Sequence, residues 1–96
     1  QQVSKFPSSD FDLAFVVADD VAASQVQRSL RQAGGALAVE VRQFDVYRGK
    51  GVPDGHRSIA YRIRLQAPDK TLTDEAVAEV RTKCIQAVEK LGGTLR

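Results

Sequence analysis

Residues 36–66 read ALAVEVRQFDVYRGKGVPDGHRSIAYRIRLQ, two runs rich in β-branched and aromatic residues around a loop punctuated by Gly49, Gly51, Pro53 and Gly55. In the second run Ile59, Tyr61, Ile63 and Leu65 alternate with Ser58, Ala60, Arg62 and Arg64. That period of two is a strand with one buried face. In the first run Val39 and Val41 share one phase, and Phe44 and Val46 take the other. The slip near Arg42 and Gln43 predicts a β-bulge. Beyond it, Phe44 and Val46 are expected to face the core, and Asp45 and Tyr47 the opposite side. Two strands in succession without a helix between them form a hairpin, and the rest of the fold is arranged around it.

Upstream, FDLAFVV (residues 11–17) sets Leu13, Phe15 and Val17 against Asp12, Ala14 and Val16, again a strand. Ala22, Val26, Leu30 and Ala33 then recur at helical spacing, with Asp19 and Asp20 at the expected positive end of the dipole and Gly34 as the stop. Downstream, Val77, Val80, Cys84, Val88 and Leu91 form the apolar stripe of a helix over residues 73–91. Thr73 is its expected N-cap, Asp74 and Glu75 occupy the first turn, and Leu72 and Val77 stand at staple positions. GGTLR closes that helix and leads into a short last strand. The order β-α-β-β-α-β predicts an α+β, ferredoxin-like fold: a four-stranded antiparallel sheet with both helices on one face and the other face open. Residues 1–10, QQVSKFPSSD, read as a linker from a preceding part of a longer chain, and residues 11–96 as the domain.

Ninety-six residues suit one domain, large enough to fold without disulfide or metal staples. Fourteen Lys and Arg against twelve Asp and Glu leave a net charge of +2, too little to mark a nucleic-acid binder by itself. The single cysteine, Cys84, excludes an internal disulfide and a cysteine-built zinc site, and a cytoplasmic setting is the expectation. No apolar run approaches the length of a membrane span.

The chemistry gathers on the open face. Tyr47 is expected beside Ser58 and the small Ala60, with room above for a flat ligand. An aromatic ring offers a stacking platform to an unpaired base, the Asp45 carboxylate accepts hydrogen bonds from a guanine's pairing edge, and the Ser58 hydroxyl reaches a base edge. Arg48, Lys50, Arg57, Arg62 and Arg64 are candidates for neighbouring phosphates. The competing reading is a solvated sheet whose tyrosine and arginines bind nothing. The loop RGKGVPDG lacks the spacing of a phosphate-binding P-loop and opens no helix, so it reads as a mobile hairpin loop.

The segments FPSSDFDLAFVV, FDVYRGKGV, GHRSIAYRI and DKTLTDEAV, with the terminal LR, together resemble the ferredoxin-fold anticodon-binding domain found at the C-terminus of the bacterial phenylalanyl-tRNA synthetase β subunit. The resemblance runs from Phe6 to Arg96. It implies a non-catalytic module that holds the anticodon of the tRNA for phenylalanine. The α subunit and the rest of the β subunit would be its partners, and the parent enzyme would use ATP and Mg2+ elsewhere. It also implies that Tyr47 stacks on the first anticodon base, a guanine, while Asp45 and Ser58 contact that base. One departure is Phe11, where the family often carries arginine, which puts any contact made by that arginine in doubt.

Elsewhere the residues offer little chemistry. His56, the only histidine, has no partners for a triad or a metal cluster, and Cys84 reads as a small buried hydrophobe. No catalytic residue, resident cofactor, metal site or membrane contact is expected. Two other functions stay open: a small-molecule regulatory or acyl-phosphate-cleaving domain, disfavoured by the acidic ADDVAAS after the first strand, and a protein-interaction module.

Overall fold

The computed structural model describes residues 6–96. Its elements are β1 (Ser9–Ala18), α1 (Ala23–Gly34), β2 (Ala38–Tyr47), β3 (His56–Leu65), α2 (Asp74–Glu89) and β4 (Thr94–Leu95), with a 3-10 turn over Gly35–Leu37. The four strands form one antiparallel sheet in the order β2-β3-β1-β4. This is the ferredoxin-like arrangement the hairpin predicts. Residues 1–5 of the expected linker lie outside the described residues. Phe6 is already fastened by its carbonyl, which accepts from Gln66 Nε2 at 2.7 Å, and β1 starts at Ser9.

The core is where alternation puts it. Leu13, Phe15 and Val17 of β1 and Ile59, Tyr61, Ile63 and Leu65 of β3 are all buried. They pack beneath Val26 and Leu30 of α1 and Val80, Cys84 and Val88 of α2. Phe11, opposite Ile63 in register, is half-buried and packs against the same cluster. Burial pushes the Cys84 thiol up to about 11, which keeps it a neutral apolar group. Thr73 caps α2 by accepting from Ala76 N–H at 3.1 Å.

Two local expectations need correction. No acidic residue lies in the first turn of α1, whose N-cap is Ala22 without a side-chain bond. Asp19 instead sits in the preceding turn and pairs with Arg48 and Arg57, because two guanidiniums attract a carboxylate more strongly than a helix dipole does. On β2 the extra residue is Phe44, since Gln43 opposes Tyr61 and Asp45 opposes Ala60. A second irregularity falls at Val39. Phe44 therefore does not face the helices. It stands on the open side, 45% exposed, with the Arg62 guanidinium 5.3 Å from its ring centroid. Val46 keeps the expected facing, opposite Ile59, yet is 48% exposed, near the hairpin end of the edge strand β2.

Candidate nucleic-acid interface

Opposed residues of antiparallel strands share a face, so the register resolves the open side into four rows. From the hairpin end these are Tyr47–Ser58–Val16–Thr94, then Asp45–Ala60–Ala14, then Arg42–Arg62–Asp12, then Glu40–Arg64–Asp10. The Arg96 amide donates to the Ala14 carbonyl at 2.8 Å, which extends the second row past β4.

The third and fourth rows are charge ladders. Arg62 grips Asp12 through two hydrogen bonds at 2.9 and 3.0 Å, and Arg64 grips Asp10 through two at 3.0 Å. These side-chain bonds from arginine hold both carboxyls below the usual carboxylate range, with partial desolvation pulling the other way. Arg64 and Arg42 also reach Glu40, at 3.8 and 3.5 Å. The alternating Asp10/Asp12 and Arg62/Arg64 carried a signal of this pairing that alternation along each strand alone does not reveal. These arginines are therefore already neutralised within the sheet.

The hairpin end differs. Asp45 is exposed and has no ion-pair or hydrogen-bond partner among the described residues. Beside it the Tyr47 hydroxyl donates to the Lys50 carbonyl at 3.1 Å, seating the ring against the turn. Gly49 makes that seat possible: its φ of 145° suits glycine, and a Cβ there would come within 2.9 Å of the Tyr47 hydroxyl oxygen. The expected room above the ring is taken. Arg96 lays its guanidinium 4.4 Å from the Tyr47 ring centroid. It gets there by crossing β1 and β3, which lie between its own strand and β2. Ala14 and Ala60 in the second row are small, which leaves room for the crossing. Ser58, opposite Tyr47, is on the predicted face but only 3% exposed, so its hydroxyl lies beneath the surface.

Of the five cations expected near phosphates, Lys50 alone has no ion-pair partner among the described residues. Arg48 bonds Asp19 at 3.1 Å and the His56 carbonyl at 3.1 Å, with the Asp19 carboxyl lowered chiefly by that Arg48 bond. Arg57 belongs to the interior framework. Its side chain is 13% exposed and donates to the carbonyls of Ala18 at 3.0 Å and Val21 at 2.8 Å, pinning β3 to the β1–α1 turn. Replacing Arg57 with alanine orphans those contacts and is expected to lower stability by about 1.5–3 kcal/mol. Lysine at that position recovers only part of the loss, because an ammonium cannot fork between two carbonyls. Denaturant midpoints of the three proteins check this.

The loop after β2 is held at several points. Asp19 N–H donates to the Gly55 carbonyl at 2.9 Å, and His56 N–H to the Pro53 carbonyl at 3.2 Å. His56 Nδ1 lies 3.0 Å from the Asp54 carbonyl. Among the described residues no group of three or more His, Cys, Asp or Glu is placed to hold a metal ion, and no helix is long and apolar enough to cross a membrane.

Residues 4–96 match the ferredoxin-fold anticodon binding domain. Similar curated proteins include the phenylalanine–tRNA ligase beta subunit of Symbiobacterium thermophilum, 45% identical over 98% of this chain and 10% of that protein. The corresponding beta subunit of Geobacillus kaustophilus is 41% identical over 100% of this chain and 12% of its own length. That of Syntrophotalea carbinolica is 39% identical over 98% and 12%. The chain thus spans about a tenth of the length of these relatives, and each match covers nearly the whole of this chain. By sequence and by fold, the chain belongs to the ferredoxin-fold anticodon-binding domain family.

Proposed function

We propose that the hairpin end of the open face reads an unpaired guanine, the first anticodon base of the tRNA for phenylalanine. Tyr47 stacks on the base and Asp45 accepts from the two N–H groups of its pairing edge. One observation carries this reading. On a face where Asp10, Asp12 and Glu40 are each paired to arginine, Asp45 is left free beside the aromatic ring. A free carboxylate next to a stacking surface discriminates guanine, which presents two donors there, from adenine, whose edge does not.

The base takes the place now held by Arg96. A cation–π contact at an exposed site is worth about 0.5–1 kcal/mol, and stacking of a base about 1–3 kcal/mol, so the exchange favours RNA. Ser58, opposite Tyr47 on the same face, then contacts the base edge. Lys50, Arg48 and the displaced Arg96 are then the nearest cations for flanking phosphates. Arg62 and Arg64 contribute less, being paired with Asp12 and Asp10. In this setting the module is a non-catalytic part of a phenylalanine–tRNA ligase in the cytoplasm. The ligase's ATP and Mg2+ act in other parts of the protein, and its remaining β-subunit domains and α subunit are the protein partners.

The test is a titration of the isotope-labelled chain with two RNA hairpins that differ only in guanine or adenine at the first anticodon position. The expected outcome is a preference for guanine of about 1–3 kcal/mol, with amide shifts at Asp45, Tyr47 and Ser58. Equal affinities for both hairpins, lost together as salt rises, would leave only a phosphate-binding surface.

A further inference from the structure

The bulge on β2 has a consequence for binding. It turns Phe44 onto the same side as Asp45, so that two residues oppose the single Ala60. The open face therefore carries two aromatic rings, Phe44 and Tyr47, on either side of the free Asp45 carboxylate. We propose that Phe44 is a second stacking platform, which takes the nucleotide adjacent to the base on Tyr47 in the same single strand. This inference rests on the reading of Tyr47 given above.

Three features set Phe44 apart from an ordinary exposed hydrophobe. Phe44 is 45% exposed on a face whose other large side chains, Tyr47 apart, are mostly charged. It is held in place from one side by the Arg62 guanidinium, at 5.3 Å from its centroid. That guanidinium is itself fixed, since its Nε and Nη2 are engaged by the Asp12 carboxylate, leaving its flat side for the ring. The platform is thus ordered before any ligand arrives, and only one ring face is covered by Arg62. Its place along the strand also fits. Phe44 and Tyr47 stand three residues apart on β2, at most about 10 Å of strand and less where the bulge shortens it, and proteins that hold single strands place aromatics where successive bases stack. The occupant is a nucleotide rather than a protein segment, because the patch is one ring wide and continuous with a base-reading site.

The test uses the full chain and an RNA hairpin whose loop carries guanine at the first anticodon position and the fluorescent base 2-aminopurine at the next. Binding by the unaltered protein is expected to quench the 2-aminopurine through stacking. Phe44→Ala and Phe44→Leu are both expected to weaken binding by about 5- to 100-fold and to lose the quench, since leucine restores bulk but no π-face. Phe44→Leu binding and quenching like the unaltered protein would overturn the proposal and leave Phe44 as edge packing. Tyr47→Ala separates the two readings. Weak binding by Tyr47→Ala alongside unimpaired Phe44 variants sinks the second platform and keeps the first; unimpaired binding by Tyr47→Ala sinks the reading on which both rest.

Discussion

Replacement of Tyr61 by alanine is expected to destabilise the fold by about 3–5 kcal/mol, as seen when large buried aromatics are truncated. Tyr61 is fully buried at the middle of β3, between Leu13 of β1 and Gln43 of β2 in register, and is among the largest enclosed side chains. Its hydroxyl donates to the Ala23 carbonyl at 3.2 Å and so ties the sheet to the first turn of α1. Burial raises its pKa, with the Arg57 charge opposing, so the ring stays neutral at ordinary pH. Removing it leaves a cavity that a closely packed core fills only in part. Against a total stability of roughly 5–15 kcal/mol the loss is large. Tyr61→Phe keeps the ring and forfeits one hydrogen bond, an effect of about 0.5–1.5 kcal/mol. Chemical denaturation of the three proteins measures both steps. A Tyr61→Ala protein as stable as the parent would mean that the core does not close around this residue.

The other tyrosine should behave in the opposite way. Tyr47→Ala is expected to leave the unfolding midpoint nearly unchanged and to weaken binding of the anticodon hairpin by about 1–3 kcal/mol. The measured loss should lie toward the lower end. In the unaltered protein a base must first displace Arg96 from the ring, a contact worth about 0.5–1 kcal/mol that the alanine variant lacks. Arg96→Ala provides the control: it frees the ring face, so affinity should hold or rise if the guanidinium only competes with the base, and should fall if the displaced side chain goes on to meet a phosphate. Parallel binding curves for Tyr47→Ala and the parent would remove stacking from the account.

That two tyrosines fourteen positions apart separate into a core strut and a ligand platform is already written in their phases. Tyr61 shares its period with Ile59, Ile63 and Leu65, and Tyr47 falls opposite Ser58. The same alternation is enough for the β-α-β-β-α-β order, for the N-cap at Thr73, and for the buried stripe of α2, since each depends on neighbours within a few residues. It placed Asp45 and Tyr47 on the open face even though the bulge was expected one or two positions early. An even number of steps separates them, so they share whatever facing the slip leaves.

What alternation could not locate was the bulged residue itself. Which of Arg42, Gln43 or Phe44 is extra depends on hydrogen bonding to β3, and moving the bulge by one residue sends a phenylalanine to the other face. The partners of the arginines were hidden for a related reason. Arg57 shares the core phase of Ile59 and Tyr61, unlike Arg62, and at the start of β3 it points into the β1–α1 turn, where two carbonyls accept from it. Arg62 and Arg64 meet Asp12 and Asp10 only because β1 lies beside β3 in that register. Arg96 reaches Tyr47 only because β4 closes the far edge of the sheet. Apart from Phe44, local periodicity determined which residues line the open face. Long-range strand pairing decided which of their charges remain free to meet a ligand, because an ion pair needs two partners at one distance and the sequence specifies only one of them at a time.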